Sequence, residues 1–156
     1  MITGLFFAAL TIGGVFWMYS RDLPSEESLA QYTPKMISRI YSGEGRIIDE
    51  FATERRLFTP VEDIPDLVKH AFISAEDKNF YTHQGFDLRG IAAAGIEAIR
   101  SRGENLRGAS TIPQQVAKIS FLSGDRTAER KIKEIILANR MVTTLSREKV
   151  LEIYLN

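Results

Sequence analysis

Cysteine is absent from the 156 residues of this chain. Its absence excludes a disulfide framework, a thiolate nucleophile and a metal site built on cysteine. An oxidising compartment is permitted by this composition but is not indicated by it. The hydrophobic fraction of 44% and the charged fraction of 26% are ordinary for a chain that buries a core, so a disordered tail is excluded.

Charged side chains are also absent from the first twenty residues. An apolar helix of about 20 residues, rising about 1.5 Å per residue, crosses a hydrocarbon core of about 30 Å. Trp17 and Tyr19 lie at one end of this run, and such aromatic rings favour the membrane interface. A cleaved signal peptide is the alternative, but no basic region precedes the run and no small-x-small site ends it. We expect residues 1–20 to form an uncleaved transmembrane anchor.

The formal net charge is zero, but the charges are unevenly distributed. Residues 21–86 contain 8 Lys or Arg and 12 Asp or Glu, whereas residues 87–156 contain 12 and 8. A basic second half indicates an anionic partner, such as phosphate or a membrane surface. Solvated helix faces are the alternative explanation of the same pattern.

Residues 21–60 are predicted to be a juxtamembrane linker with short β-strands. The proline-punctuated part, residues 21–36, should be extended and mobile. Two short runs, residues 36–41 and 46–51, surround a glycine-bearing turn and predict a hairpin. A third run, residues 55–59, could pair with them.

From Pro65 onward, apolar residues recur at helical spacing. Capping residues and breakers divide this half of the chain. We predict five helices: from Pro65 to about Glu76, from the cap Asp87 to a stop at Gly103, from a cap at Ser110 or Thr111, from after Thr127 to about Thr144, and from Ser146 onward. The chain is therefore expected to be mainly α with a small β element.

Glu76 and Asp77 are adjacent carboxylates at the end of the first of these helices. Neighbouring like charges disfavour joint ionisation, so one member could act as a general base or acid. Taken alone, such a pair is more typical of a solvated helix end. Taken alone, His83 is likewise more often a structural hydrogen-bonding residue than a catalyst, and Phe80 is more often part of the core than a substrate contact.

The segment 108–118 is a glycine-led loop that enters a helix. Free backbone N–H groups at such a helix start suit an anionic ligand, and Lys118 follows about two turns later. Gln114 and Gln115 add donors and acceptors of the kind that bind sugar hydroxyls. An ordinary helix cap is the alternative.

Arg130, Lys131 and Glu134, continued by Arg140, form a third group of polar residues. Arg130 and Glu134 are four residues apart, so a surface ion pair explains them. A cationic cluster that binds pyrophosphate is the functional explanation, since the guanidinium group can engage two phosphate oxygens at once.

The order and spacing of these groups resemble the glycosyltransferases that polymerise peptidoglycan, found in class A penicillin-binding proteins and monofunctional relatives. Residues 76–85 match the pattern E-D-x-x-F-x-x-H-x-G at every fixed position. Residues 108–115 resemble G-x-S-T-x-x-Q-Q, residues 130–134 resemble R-K-x-x-E, and residues 150–156 resemble I-L-E-x-Y-L-N. Pro113, Ile119 and Arg147 depart from the residues usual in the family.

The resemblance implies a lysozyme-like helical glycosyltransferase domain over residues 61–156. In the family this domain continues with further helices, so we expect the domain here to be incomplete at its C-terminus. It also implies the extracytoplasmic side of the bacterial inner membrane as the location. The implied partners are that membrane, lipid II and a glycan on undecaprenyl pyrophosphate, with no nucleic acid. Other proteins of cell-wall synthesis are further implied partners.

The resemblance assigns Glu76 as the base that takes a proton from the 4-hydroxyl of the acceptor sugar. The resemblance implies Glu134 as a second catalytic residue, which orients the cations or holds a metal, Mg²⁺ or another divalent cation, in the donor site; no organic cofactor is implied. The remaining site residues are implied to shape the cleft or bind substrate: Asp77, Phe80, His83, Ser110, Thr111, Gln114, Gln115, Lys118, Arg130, Lys131 and Arg140.

Two other functions are compatible with parts of the pattern. A lysozyme-like enzyme that cleaves peptidoglycan also uses a catalytic Glu in a helical domain, but it needs neither a cationic pyrophosphate site nor an anchor. A chain without catalysis, either a membrane-tethered interaction module or an inactive membrane-anchored fragment of a gene remnant, is the second alternative. An incomplete domain would leave apolar helix faces uncovered, which favours that alternative.

Overall fold

Helices form most of the structure. The structure is a computed structural model, and it describes residues 2–32, 37–51, 57–100, 108, 110–122 and 127–156. Two strands pair in one antiparallel sheet. The elements are α1 (Ile2–Ser20), α2 (Glu26–Ala30), β1 (Ser38–Tyr41), β2 (Ile47–Phe51), α3 (Asp66–Glu76), α4 (Leu88–Arg100), α5 (Ile112–Ser120), α6 (Ala128–Thr144) and α7 (Arg147–Leu155). The predicted mainly α fold with a small β element is confirmed.

Helix α6 lies at the centre of the packing and contacts α1, α2, α5 and α7. Leu137 and Met141 on α6 are fully buried, as are Ile112 and Val116 on α5. Each pair is four residues apart, so each helix presents one apolar stripe to the core. This core fixes α5 relative to α6, and these two helices carry most of the predicted polar groups.

Side-chain caps fix where the helices begin. Thr111 caps α5 and forms a capping box with Gln114, while Thr127 and Ser146 cap α6 and α7. Ser110, the alternative cap, is not used. Pro113 lies in the first turn of α5, where its missing N–H removes no helical hydrogen bond.

Asp87 caps α4 as predicted. Its Oδ1 accepts hydrogen bonds from the backbone N–H groups of Arg89 and Gly90, both at 3.0 Å. The pKa of Asp87 is lowered, first by a hydrogen bond from the Asn79 amide and next by the hydrogen bond from the Gly90 N–H. The predicted stop of this helix at Gly103 lies outside the described residues, as do Pro34 and Arg55.

Helix α2 forms where an extended linker was expected. Ser25 caps it, and Leu29 is 1% exposed and belongs to the core. Glu26 and Glu27 in the first turn complement the helix dipole. The prediction was wrong because the apolar residues of this polar stretch are too few to give a periodic signal, while the burial of Leu29 against α6 is a tertiary effect.

Helix α1 covers the segment expected to be a membrane anchor. No helix within the described ranges is long and apolar enough to cross a membrane, so the expected span is not found there.

The predicted hairpin is confirmed, with Arg39 opposite Glu50 and an ion pair of 2.9 Å between Nε and Oε1. The third run forms no strand at residues 57–59. It is held instead by Asn156, the residue that caps the C-terminal end of α7. The Thr59 N–H donates to Asn156 Oδ1 at 2.7 Å, and Asn156 Nδ2 donates to the Thr59 carbonyl at 3.0 Å. Glu152 of α7 also accepts from the Val61 N–H at 3.0 Å. Helix α7 thus positions the segment that leads into α3.

Apolar side chains remain exposed on α3 and α4. Leu67 on α3 and Ile99 on α4 are both 81% exposed, and Leu88 and Ile96 are also exposed. Uncovered helix faces of this kind were expected from the sequence.

Candidate active site

The adjacent carboxylates Glu76 and Asp77 have different surroundings, because α3 ends between them. Glu76 is the last residue of α3 and is exposed, whereas Asp77 is buried. Asp77 Oδ2 accepts the Ile112 N–H at 2.9 Å and lies 2.8 Å from His83 Nε2. The Asp77 carboxylate therefore joins its own loop to the first turn of α5, and only Glu76 faces the solvent.

The hydrogen bonds of His83 define its tautomer. Nδ1 accepts the backbone N–H of Gly85 at 3.0 Å, so the ring proton lies on Nε2 and is donated to Asp77. Both ring nitrogens are engaged, and the side chain is buried. His83 therefore shapes the loop, and neither nitrogen is available to move a proton for a substrate.

Phe80 and Arg147 support the same loop from within the core and from α7. Phe80 is fully buried, and the Arg147 guanidinium lies 5.9 Å from the centre of its ring. Arg147 also donates to the His83 carbonyl. Burial lowers the pKa of the Arg147 guanidinium, while the charges of Asp77 and Glu148 oppose that shift. Arg147 thus makes a polar contact at a position where the family usually has lysine.

Arg147 is a loop-supporting residue that the sequence reasoning missed. It occupies the first position of α7, where a positive charge is unfavourable to the helix dipole. That unfavourable position is the signal that could have indicated a tertiary role.

Gly85 is the tightest point of the loop. Its φ is +88°, and a Cβ there would lie 2.5 Å from the carbonyl carbon of Ala138. The Gly85 carbonyl accepts the Thr111 hydroxyl at 2.6 Å. The loop is thus held against α6 and the start of α5, which fixes the end of α3 and with it Glu76.

Glu76 has neighbours from α5 and α7. Gln115 Nε2 donates to Glu76 Oε2 at 2.9 Å. Burial raises the pKa of the Tyr154 phenol on α7, and the negative charge of Glu76 raises it further. The exposed Glu76 carboxylate is therefore hydrogen-bonded to the side-chain amide of Gln115.

A cationic cluster lies at the start of α5 and on α6. Lys131 Nζ donates to Ser110 Oγ at 2.9 Å, to Gln114 Oε1 at 3.3 Å and to Glu134 Oε2 at 2.9 Å. Arg130 Nε donates to the other oxygen of Glu134 at 3.2 Å. One buried carboxylate thus orients two cations, and the cluster formed by Arg130, Lys131 and Glu134 keeps a net positive charge.

The predicted glutamines have different surroundings. Gln114 is 1% exposed, and its Oε1 also lies 3.4 Å from the Thr111 N–H. Gln114 Nε2 is buried, with no hydrogen-bond partner among the described residues. Thr111 is likewise buried and engaged in the cap. Gln114 and Thr111 therefore build the frame that holds Lys131.

Two predicted cations lie apart from this cluster. Lys118 is exposed on α5, and the described part of the chain offers it no hydrogen bond or ion pair. Arg140 donates to the carbonyls of Ser20 at 3.0 Å and Pro24 at 2.9 Å, so it holds the N-terminal segment on α6. Ten residues beyond Arg130, Arg140 falls on a different face of the helix. Its expected role in substrate binding is not supported.

The surroundings of Glu134 do not fit its expected role as a ligand of Mg²⁺. Both of its oxygens are occupied by Arg130 and Lys131. Mg²⁺ requires several oxygen ligands in octahedral geometry. No group of three or more acidic, histidine or cysteine residues suited to a metal occurs within the described ranges. Glu134 is therefore the ion-pair partner of Arg130 and Lys131.

The family to which the chain belongs is shown by comparison with known proteins. Residues 44–156 match the Transglycosylase family, and the chain belongs to it. The resemblance found in the motifs is therefore confirmed.

Among individual proteins, the chain is similar to Penicillin-binding protein 1A of several bacteria. It is 45% identical to that of Rickettsia bellii over 144 residues, which cover 91% of this chain and 18% of the relative. It is 42% identical to that of Neisseria gonorrhoeae over 159 residues, which cover 98% of this chain and 20% of the relative. The chain thus spans about a fifth of the length of these relatives.

Proposed function

We propose that this chain is the part of a peptidoglycan glycosyltransferase that carries the catalytic base and the diphosphate-binding cations. One observation supports this most strongly: adjacent residues of α5 contact both groups. Gln115 donates to Glu76, and Gln114 accepts from Lys131. The base and one of the cations therefore contact the same short helix, which supports their action on one sugar diphosphate.

The reaction proposed is an inverting glycosyl transfer. Glu76 accepts the proton of the acceptor sugar's 4-hydroxyl as that oxygen attacks the anomeric carbon of the donor. The bond between the anomeric carbon and the diphosphate oxygen breaks, and the diphosphate leaves with the electron pair. The new bond forms on the face opposite the leaving group, so the anomeric configuration inverts.

The cationic cluster stabilises the charge that develops on the leaving diphosphate. Lys131 and Arg130 are held in place by Glu134 before substrate binds, so little reorganisation is needed during the reaction. Lys118, exposed on the same helix as Gln115, adds a further positive charge on the solvent side. No step requires a metal bound by Glu134.

The proposed substrates are lipid II as acceptor and a glycan on undecaprenyl pyrophosphate as donor. Both are lipids, so the site must work at the surface of a membrane, and we place it on the extracytoplasmic side of the bacterial cytoplasmic membrane. The exposed apolar residues of α4, among them Leu88 and Ile96, suit contact with the acyl boundary. We also propose that residues 61–156 belong to a lysozyme-like helical domain.

Replacing Lys131 with methionine is expected to slow lipid II polymerisation by about 10- to 100-fold. A lost electrostatic contact to a transition state costs about 10²- to 10³-fold, and the partial exposure of Lys131 reduces that effect. The rate is measured from glycan strands formed by the full gene product.

Lys133→Met is the matched control, because Lys133 is two residues away on α6 and pairs with the exposed Glu129 at 2.7 Å. Its Nζ lies over the Tyr19 ring, on the side of α6 that packs on α1. We expect near-normal rates for Lys133→Met. Equal losses in the two variants would contradict the assignment of the cluster to the diphosphate.

A further inference from the structure

Arg140 of α6 bridges the end of α1 and the start of α2. Its Nη2 donates to the Ser20 carbonyl at 3.0 Å, and its Nη1 donates to the Pro24 carbonyl at 2.9 Å. Ser20 is the last residue of α1, and Pro24 precedes Ser25, the cap of α2. One planar guanidinium group therefore spans the connection between two helices, a task for which the compact ammonium group of lysine is less suited.

The bond to Ser20 supplies a charge that the sequence of α1 does not. The last carbonyls of a helix lack intrahelical partners and carry a partial negative charge, so a nearby cation stabilises them. The last turn of α1 contains no basic residue. Arg21 follows directly, but its guanidinium lies over the Trp17 ring, 4.9 Å from the ring centre. Arg140 therefore provides a positive charge at the end of α1 from a distant helix.

Residues 21–32, the N-terminal strap, are held against the two helices that carry the proposed site. Leu29 of α2 is 1% exposed and packs in the same core as residues of α5 and α6. The Tyr32 ring contacts the ring of Phe121 at the end of α5, with 4.6 Å between their centres. Both α1 and α2 pack against α6. The strap is therefore part of the folded domain.

Helix α6 connects the strap to the cation cluster of Arg130, Lys131 and Glu134. The cluster lies in the first half of α6, and Arg140 lies in its second half. The ten residues from Arg130 to Arg140 span about 15 Å along the helix. Because α6 is one uninterrupted helix over this distance, the end of α1 and the cluster keep a fixed separation while Arg140 holds the strap.

Helix α1 exposes apolar side chains that suit contact with lipid. Phe7, Leu10 and Trp17 are each more than half exposed. An apolar helix face of this kind is stabilised at the boundary between headgroups and acyl chains. The sugar diphosphate of a lipid-linked substrate lies at that same boundary, on the polar side.

We propose that Arg140 couples α1 to the cation cluster and thereby holds the cluster at the depth where the diphosphate of a membrane-bound substrate lies. This inference rests on the proposed function. It gives Arg140 a positioning task in place of the substrate contact expected from the sequence, because Arg140 acts through α6 and the strap.

The test compares two substrates of the full gene product: lipid II in phospholipid vesicles and a lipid II analogue with a short, water-soluble chain. In Arg140→Met the rate in vesicles should fall by about 10-fold or more, since a misplacement of about 1 Å can cost about 10²-fold. The rate with the soluble analogue should stay near wild type, because that substrate has no fixed depth. Lys131→Met should instead slow both reactions.

Arg46→Met is the matched control. It removes the same group from the turn of the hairpin, where the guanidinium pairs with the exposed Glu44, and it should leave both rates unchanged. Arg140→Lys keeps the charge but not the two-point bridge, so we expect a smaller loss that is confined to vesicles. Circular dichroism shows whether each variant is folded, and Arg140→Lys keeps the test valid should Arg140→Met not fold.

The outcomes separate this inference from the proposed function. Faster amide hydrogen exchange in residues 21–32 of both Arg140 variants, with a loss of rate in vesicles alone, is the expected result. Equal losses with both substrates would overturn the inference, because they would indicate substrate binding by Arg140 or general damage to the fold. A wild-type rate in vesicles would overturn it as well. If the wild-type protein polymerises neither substrate, the proposed function itself fails.

Discussion

Replacing Glu76 with glutamine is expected to lower the rate of lipid II polymerisation by about 10²- to 10⁴-fold, the range for loss of general base catalysis. The amide has the same shape but cannot accept the proton of the 4-hydroxyl. Glu76 is exposed, and the carbonyl oxygen of the introduced amide can still accept from Gln115, so the fold should be retained. Initial rates of glycan formation and the thermal unfolding curve measure the two parts of this expectation.

Glu62→Gln is the matched control for this change. Glu62 is an exposed glutamate in the turn before α3, and the same substitution there should leave the rate near wild type. Glycan strands formed at the wild-type rate by Glu76→Gln would show that another group is the base. A loss of activity accompanied by unfolding would contradict the view that Glu76 contributes chemistry and not stability.

Replacing Gly85 with alanine is expected to lower the free energy of unfolding by about 2–5 kcal/mol. Part of this cost is the positive φ of +88°, which is unfavourable for any residue with a Cβ. The other part is steric, because the new Cβ would lie 2.5 Å from the Ala138 carbonyl carbon and 2.6 Å from its oxygen. These atoms belong to the backbone of α6, so they cannot move aside as a flexible side chain would. Urea denaturation measures the loss.

Gly45→Ala separates the two contributions. Gly45 has a similar φ of +81° in the hairpin turn, but a Cβ there meets no atom within 4 Å. The backbone conformation alone should cost about 1–2 kcal/mol. Equal losses at the two glycines would show that the contact between the loop and α6 is loose in solution, and that it does not fix Glu76.

Much of the fold could be predicted because its signals are local. A cap such as Thr111 or Ser146 and an apolar spacing of three or four residues act within one helix, so they are visible in the sequence. The helix that ends at Glu76 and the hairpin followed from the same kind of signal.

The remaining structure depends on contacts between distant segments. Leu29 is buried by α6, and Arg140 binds carbonyls more than 100 positions earlier in the chain, so neither role is visible in the local sequence. The same holds for Arg147 and Gln115, whose partners lie 64 and 39 positions away.

The two carboxylates show the limit most clearly. In the sequence Glu76 and Asp77 are equivalent acids, and only the family resemblance favoured Glu76. In the structure Asp77 is buried and shared between His83 and Ile112, while Glu76 is exposed next to Gln115. The fold therefore gives a physical reason for the assignment that the motif alone could not provide.

The most direct test of the proposed function is to supply the full gene product with lipid II in one reaction and with purified cell-wall sacculi in another. A glycosyltransferase forms glycan strands from lipid II, visible as a ladder on a gel, and releases no soluble fragments from the sacculi. Release of muropeptides from the sacculi without polymer formation would contradict this account and would identify a lytic enzyme instead.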